Sequence, residues 1–331
     1  MSNSKSDKCS ITVLKSSNNV PACKRFTQKG GVLKKLPEQM EKYFEVDELG
    51  LNSFDDLSNI LTKLEVEPSS LVILGKLIAG RPTTNLRRTG SANQFGHPDK
   101  NFNPHSRRWC MLDIDDLELP EGYSNINKYS EEILAHTVSN LPEEFRSAAC
   151  HYQFSGSMGV KTGMIKVHLW YWLDRAVSDL EMKSWTSSNS DVPIDQALFN
   201  PVQVHYTVPP NFKNEAVDPL KKRSGTYRPE GSSDTVAVPN DLDERLASIP
   251  KAARRTTLTG DGTIEWIEPQ EIVRDGNTGL VIDGREKLLY HLSLSTMTEF
   301  VQAKKIKKKD CQKKVNLLAD EIWKCFKDEA D

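Results

Sequence analysis

Nine consecutive residues, Ile165-Lys166-Val167-His168-Leu169-Trp170-Tyr171-Trp172-Leu173, constrain the fold of this 331-residue chain more than any other stretch. Side chains of a β-strand alternate between its faces, so Ile165, Val167, Leu169, Tyr171 and Leu173 share one face and Lys166, His168, Trp170 and Trp172 the other. Ala149 to Ser155 alternates in the same way and is joined to it by a loop holding Ser157, Gly159, Lys161 and Gly163, which predicts a β-hairpin. A third segment, Trp109-Cys110-Met111-Leu112-Asp113-Ile114-Asp115-Asp116, is apolar until its end and then presents Asp113 and Asp115 on one face.

Between and around these strands the pattern is helical or irregular. Phe54, Leu57, Ile60, Leu61 and Leu64 recur at helical intervals, and Leu71 to Leu74 reads as a strand or a buried helix. Ser130 to Leu141 predicts a helix with Ile133, Leu134 and Val138 as its apolar stripe and Ser130 or Asn127 as its cap. Leu180 to Trp185 predicts a short helix, and Val202, Val204 and Tyr206 alternate as a strand that Pro209-Pro210 stops. Gly80 to Arg108 reads as a long irregular loop with five arginines, Arg81, Arg87, Arg88, Arg107 and Arg108, and Pro219 to Gly231 as a basic loop.

The expected organisation is a Ser/Asn/Lys-rich mobile tail over residues 1–20, a main domain over 21–247, a linker over 248–281 and a small helical domain over 282–331. The fold class expected is α+β. A hydrophobic fraction of 37%, a charged fraction of 27% and a net charge of −2 describe a globular chain without a uniformly basic coat. No apolar run approaches the roughly 18 residues of a membrane span, and Met1 to Lys8 lacks the apolar core of a signal peptide, so no membrane and a cytoplasmic setting are expected. Six scattered cysteines form no C-x-x-C pair, so neither a zinc site of that kind nor a disulfide framework is expected. The run Lys304 to Lys309 serves either as a solvated face or as a contact to DNA phosphates.

Asp113 and Asp115 on one strand face offer two hard oxygen ligands, although exposed strand ends also carry such pairs for solubility. Asp195, after Pro193-Ile194, supplies a third carboxylate if its strand lies alongside. Three carboxylates could then hold two cations about 3.5–4 Å apart, the arrangement that stabilises attacking and leaving oxygens in phosphoryl transfer. Oxygen ligands suit Mg²⁺ or Mn²⁺. His168 and Lys166 on one face, opposite Ser155-Gly156-Ser157, offer donors for an anionic phosphate.

In this order Leu112-Asp113-Ile114-Asp115, Lys166-Val167-His168 and Ile194-Asp195 resemble the three motifs of the archaeo-eukaryotic primase (primase-polymerase) superfamily. Phe154-Ser155-Gly156-Ser157, His168-Leu169-Trp170 and the segment Pro201 to Pro210 look like the primases of phages, plasmids and mobile elements, over about residues 70 to 230. The resemblance implies an RRM-like antiparallel sheet with a small C-terminal helical domain. It also implies a DNA-dependent primase or primase-polymerase that makes primers on single-stranded DNA from NTPs or dNTPs.

Asp113, Asp115 and Asp195 would be the catalytic metal ligands. His168, Ser155, Ser157, Lys166 and Arg88 would bind the nucleotide. Lys166 departs from the small residue usual in the second motif. With no Walker A pattern, a replicative helicase partner is expected on a separate protein or a further part of a longer one. A metal-dependent nuclease and a non-catalytic replication initiator or DNA-binding protein are the alternatives.

Overall fold

The computed structural model describes residues 9–242, except 38, 40, 92–98, 161–162 and 189–193, together with four short strands between 256 and 283. The chain divides into two compact units, Met1–Ser248 and Ile249–Asp331. In chain order the first unit contains β1 (Ser10–Ser16), β2 (Arg25–Lys29), β3 (Val32–Lys35), β4 (Phe44–Gly50), α1 (Phe54–Leu64), β5 (Ser70–Ile73), β6 (Lys76–Leu77) and β7 (Phe102–Asn103). Then come β8 (Arg107–Glu118), α2 (Ser130–Ser139), α3 (Glu143–Arg146), β9 (Cys150–Phe154), β10 (Met164–Val177), α4 (Asp179–Ser188), β11 (His205–Tyr206), β12 (Asn211–Asn214) and β13 (Ser224–Tyr227). This is a mixed α+β architecture built mainly on antiparallel sheets.

The central sheet has strand order β13-β9-β10-β8 and is antiparallel throughout. Its hairpin, β9 and β10, follows from the alternation that the sequence displays. One face, carrying Leu112, Ile114, Val167, Leu169 and Tyr171, is closed by α2, α3 and α4. There Phe145 stacks on Trp185 with ring centroids 4.6 Å apart and meets Tyr171 edge-on at 5.0 Å. Burying each such aromatic or branched side chain contributes about 1.5–3 kcal/mol.

The other face carries Trp109, Met111, Asp113, His168 and Trp170, and part of it packs on a second sheet of order β11-β5-β1-β4. Arg107 clamps the two sheets. It is almost fully buried and donates to the carbonyls of Ser10, Leu74 and Gly75 and to the hydroxyls of Ser10 and Thr12. Trp109 Nε1 adds a bond of 2.9 Å to the Ser10 carbonyl. On the same face Asp113 and His168 border a cleft that His205 and Tyr206 of β11 also line.

Several expectations are corrected. Residues 10–16, grouped by composition with a mobile tail, form β1, an interior strand with Ile11, Thr12 and Leu14 fully buried. The alternation of Ile11, Val13 and Lys15 against Thr12, Leu14 and Ser16 is short, and the polar residues before it mask it. The basic loop after Pro219 contains β13, which adds an edge to the central sheet by pairing with β9. The strand expected over Val202–Thr207 shrinks to β11, which pairs with β5. Arg107 is an internal clamp rather than a loop cation.

Helix α2 starts without a side-chain cap. Asn127 is used instead to hold the Pro219 carbonyl and the Lys221 amide. The stretch expected as a linker holds the strand pair Thr256–Leu258 with Ile264–Trp266, and its strand Val273–Arg274 pairs with Val281–Asp283, which runs two residues into the expected helical domain. The helical unit expected further on, and the lysine run within it, lie outside the described residues. Among the described residues no helix is long and apolar enough to cross a membrane.

Candidate active site

The register of β8 against β10 sets His168 directly opposite Asp113, and β9 adds Gln153 on the far side of His168. All three side chains project from the face that borders the cleft. His168 Nε2 lies 3.6 Å from Asp113 Oδ1. Asp195 arrives from the segment after α4 through an antiparallel bridge between Ile194 and Ile114, and its amide donates to the Asp113 carbonyl at 3.3 Å. Its carboxylate caps the 3₁₀ turn Gln196–Phe199, accepting from Ala197 N at 2.8 Å. The apolar neighbours of the two aspartates therefore have a purpose: Ile114, just after Asp113, and Ile194, just before Asp195, are buried and bridged to each other, which pins the two acidic positions together.

A cleft of about 170 Å³ is lined by Asp113, His168 and Asp195 together with Ser155, Lys24 and His205, among others. Ser155 Oγ and Ser157 Oγ are 3.3 Å apart, and Lys24 Nζ donates to Ser157 Oγ at 3.3 Å. A Cβ at Gly156 would lie 3.1 Å from the Lys24 side chain, so glycine is what lets this lysine cross the turn. Arg223 fixes the turn from below, donating to the carbonyls of Ser155 and Met158 while paired with Asp218 at 2.7 Å. The rim therefore presents a cation and two hydroxyls beside an imidazole, a set of donors matched to a phosphate.

Burial pushes the Asp113 carboxyl above the usual range, His168 and Lys24 pull it down, and Asp115 and Asp195 add to the rise. Among the described residues its buried Oδ1 has no hydrogen-bond partner. An oxygen so placed, with Asp195 beside it, fits a hard divalent cation that completes its shell with water and substrate phosphates. The expected three-carboxylate, two-cation set does not fit as well. Lys166 Nζ lies 3.2 Å from Asp115 Oδ1, and among the described residues no three His, Cys, Asp or Glu side chains converge on one point.

Arg88 stands elsewhere. Its half-buried guanidinium, held below its usual pKa by burial, donates to the Val202 carbonyl. It lines a neighbouring cleft that shares Val204 and Tyr206 as walls with the first. Lys24, Gln153 and His205 line the cleft and Arg223 supports the turn at its rim, and motif reasoning passes over all four. Lys24 carries no sequence signal at all, whereas His205 sits inside the alternating run Val202–Thr207 and Arg223 follows Asp218 by five positions.

These elements define an α+β domain with a carboxylate–histidine cleft at one end of a four-stranded antiparallel sheet. No family model and no solved structure matches the chain. Among curated proteins it is similar to one from Escherichia phage T5 described as a "putative replication origin binding protein". The two are 22% identical over 280 residues, which cover 78% of this chain and 29% of the relative. The chain thus spans less than a third of the length of that relative.

Proposed function

We propose that the cleft is the active centre of a replication enzyme, a primase or primase-polymerase of the archaeo-eukaryotic type serving a phage or mobile element. The observation that carries this reading is the register of His168 against Asp113 with Asp195 bridged to the same strand, since it assembles the three motif positions around one opening. A divalent cation held by Asp113 and Asp195 would supply charge neutralisation at the triphosphate. The protein's own groups position the nucleotide. His168, Ser155, Ser157 and Lys24 bind its phosphates, and Arg223 keeps the Ser155–Met158 turn in place for them. Arg88 acts indirectly, by holding the wall that carries Val204 and Tyr206. Single-stranded DNA is the template, and a replicative helicase is the expected partner.

The test is incubation with single-stranded templates, Mg²⁺ or Mn²⁺ and labelled NTPs or dNTPs. The protein incorporates label, and a variant combining Asp113→Ala with Asp195→Ala does not. Unimpaired synthesis by that variant, or none by the wild-type protein under any of these conditions, overturns the reading.

A second reading, an initiator that binds origin DNA without turnover, is favoured by the description of the T5 relative. In that case origin-sized duplexes bind with an affinity that depends on their sequence, and the double variant binds them as tightly as the wild type while neither incorporates nucleotide.

A further inference from the structure

Between the pairs Ile165–Leu117 and Val167–Ile114 the register of β10 against β8 slips, so that Asp115 and Asp116 together stand opposite Lys166 alone. Such a bulge re-aims side chains at the end of a ladder. Here Lys166 and Asp115 share the face of Asp113 and His168. The Lys166 side chain is 6% exposed, and its ammonium takes both the Asp115 carboxylate and the Asp115 backbone carbonyl. A carboxylate and a carbonyl oxygen are the ligands a hard cation collects. A buried lysine keeps its charge through such contacts, and the Asp115 carboxylate, itself half exposed, is one of the partners that Lys166 holds. Consistently, Asp113 and Asp195 line the cleft and Asp115 does not. With Lys166 set against Asp115, Asp113 and Asp195 are the two carboxylates left facing the cleft, enough for a single divalent ion beside the Lys24 rim.

We propose that Lys166 is a built-in cation standing in place of a second metal ion, so that this site takes one divalent cation, on Asp113 and Asp195. The proposal rests on the cation-binding reading of the cleft and is independent of the reaction performed there.

The test is Mn²⁺ titration of the full chain, with free Mn²⁺ read by electron paramagnetic resonance. The wild-type protein binds one ion, as do Lys166→Arg and Asp115→Asn. Asp195→Asn weakens binding at least tenfold. Removing the charge with Lys166→Met, or with Lys166→Gln if the methionine variant does not fold, opens a second site. Two ions on the wild type, loss of the site in Asp115→Asn, or a single ion on the folded charge-removal variant overturns the proposal. No ion on the wild type at millimolar Mn²⁺ overturns the cation reading itself and the proposal with it, whereas one ion on both proteins defeats the proposal alone.

Discussion

Replacing His205 with leucine should flatten the acid limb of the stability profile. The imidazole is 1% exposed and lies against the rings of Trp170 and Trp109 at centroid distances of 5.8 and 6.4 Å. Among the described residues neither ring nitrogen makes a hydrogen bond of normal geometry, and the nearby Leu198 backbone offsets only part of the effect of burial. Burial first, and nearby His168 second, push its pKa down from 6.5 to about 3. In the unfolded chain the same ring titrates near its ordinary value. A base with a depressed folded pKa contributes stability above the unfolded pKa and loses it as pH falls toward the folded one. Each unit of that gap is worth about 1.4 kcal/mol, so moving from pH 8 to pH 5 removes about 2 kcal/mol through His205 alone. For a unit of this size the loss corresponds to a fall of about 4–8 °C in the melting temperature. Urea unfolding followed by tryptophan fluorescence at pH 8 and pH 5 measures it in both proteins, and the difference between their two losses isolates the histidine. An equal loss in His205→Leu and the wild type would refute the reasoning.

Asp113 has the opposite sign. Its folded pKa is raised, so the ionised carboxylate costs stability above the ordinary carboxylate range, and Asp113→Asn should stabilise the fold at pH 8 by about 0.5–2 kcal/mol. That gain fades at pH 3, and a lower urea midpoint at pH 8 counts against the argument. Arg107→Met leaves several buried carbonyls and hydroxyls of β1 and its neighbours without their donor and should cost about 3–5 kcal/mol, which Arg107→Lys recovers only in part because a single ammonium lacks the fork. Calorimetry of both variants decides it. Gly159 has φ +77°, and a Cβ there would meet Leu220 Cδ1 at 2.5 Å, so Gly159→Ala should cost about 1–3 kcal/mol in a thermal melt and loosen the turn that carries Ser155 and Ser157. An unchanged melting temperature would show that the turn can shift without cost.

The strands β8, β9 and β10 and the helix α1 were legible because each displays its own period over enough residues to be read without a partner. β1 was not, because its burial comes from pairing with β4 on one side and β5 on the other, and the polar residues before it dilute the pattern. The strand around His205 was overread for the converse reason: Val202 and Val204 alternate, yet only His205 and Tyr206 find backbone partners on β5, while Gln203, Val204 and Tyr206 serve as cleft wall.

Of the candidate site, Asp113, Asp195, His168 and Ser155 share the cleft, with Ser157 on its rim. Arg88 turns toward the Val202 carbonyl. Lys24, which does reach the cleft, comes from 133 positions before Ser157. Spacing along the chain decides which side chains share a strand face, since that is a property of neighbours a few residues apart. Whether Asp115 faces an open cleft or a lysine depends on a one-residue slip between strands and on a contact across 51 positions. Such a contact exists only after the sheet has formed. The acidic and histidine positions are therefore written in the sequence, and the charge that balances them is decided by the tertiary structure.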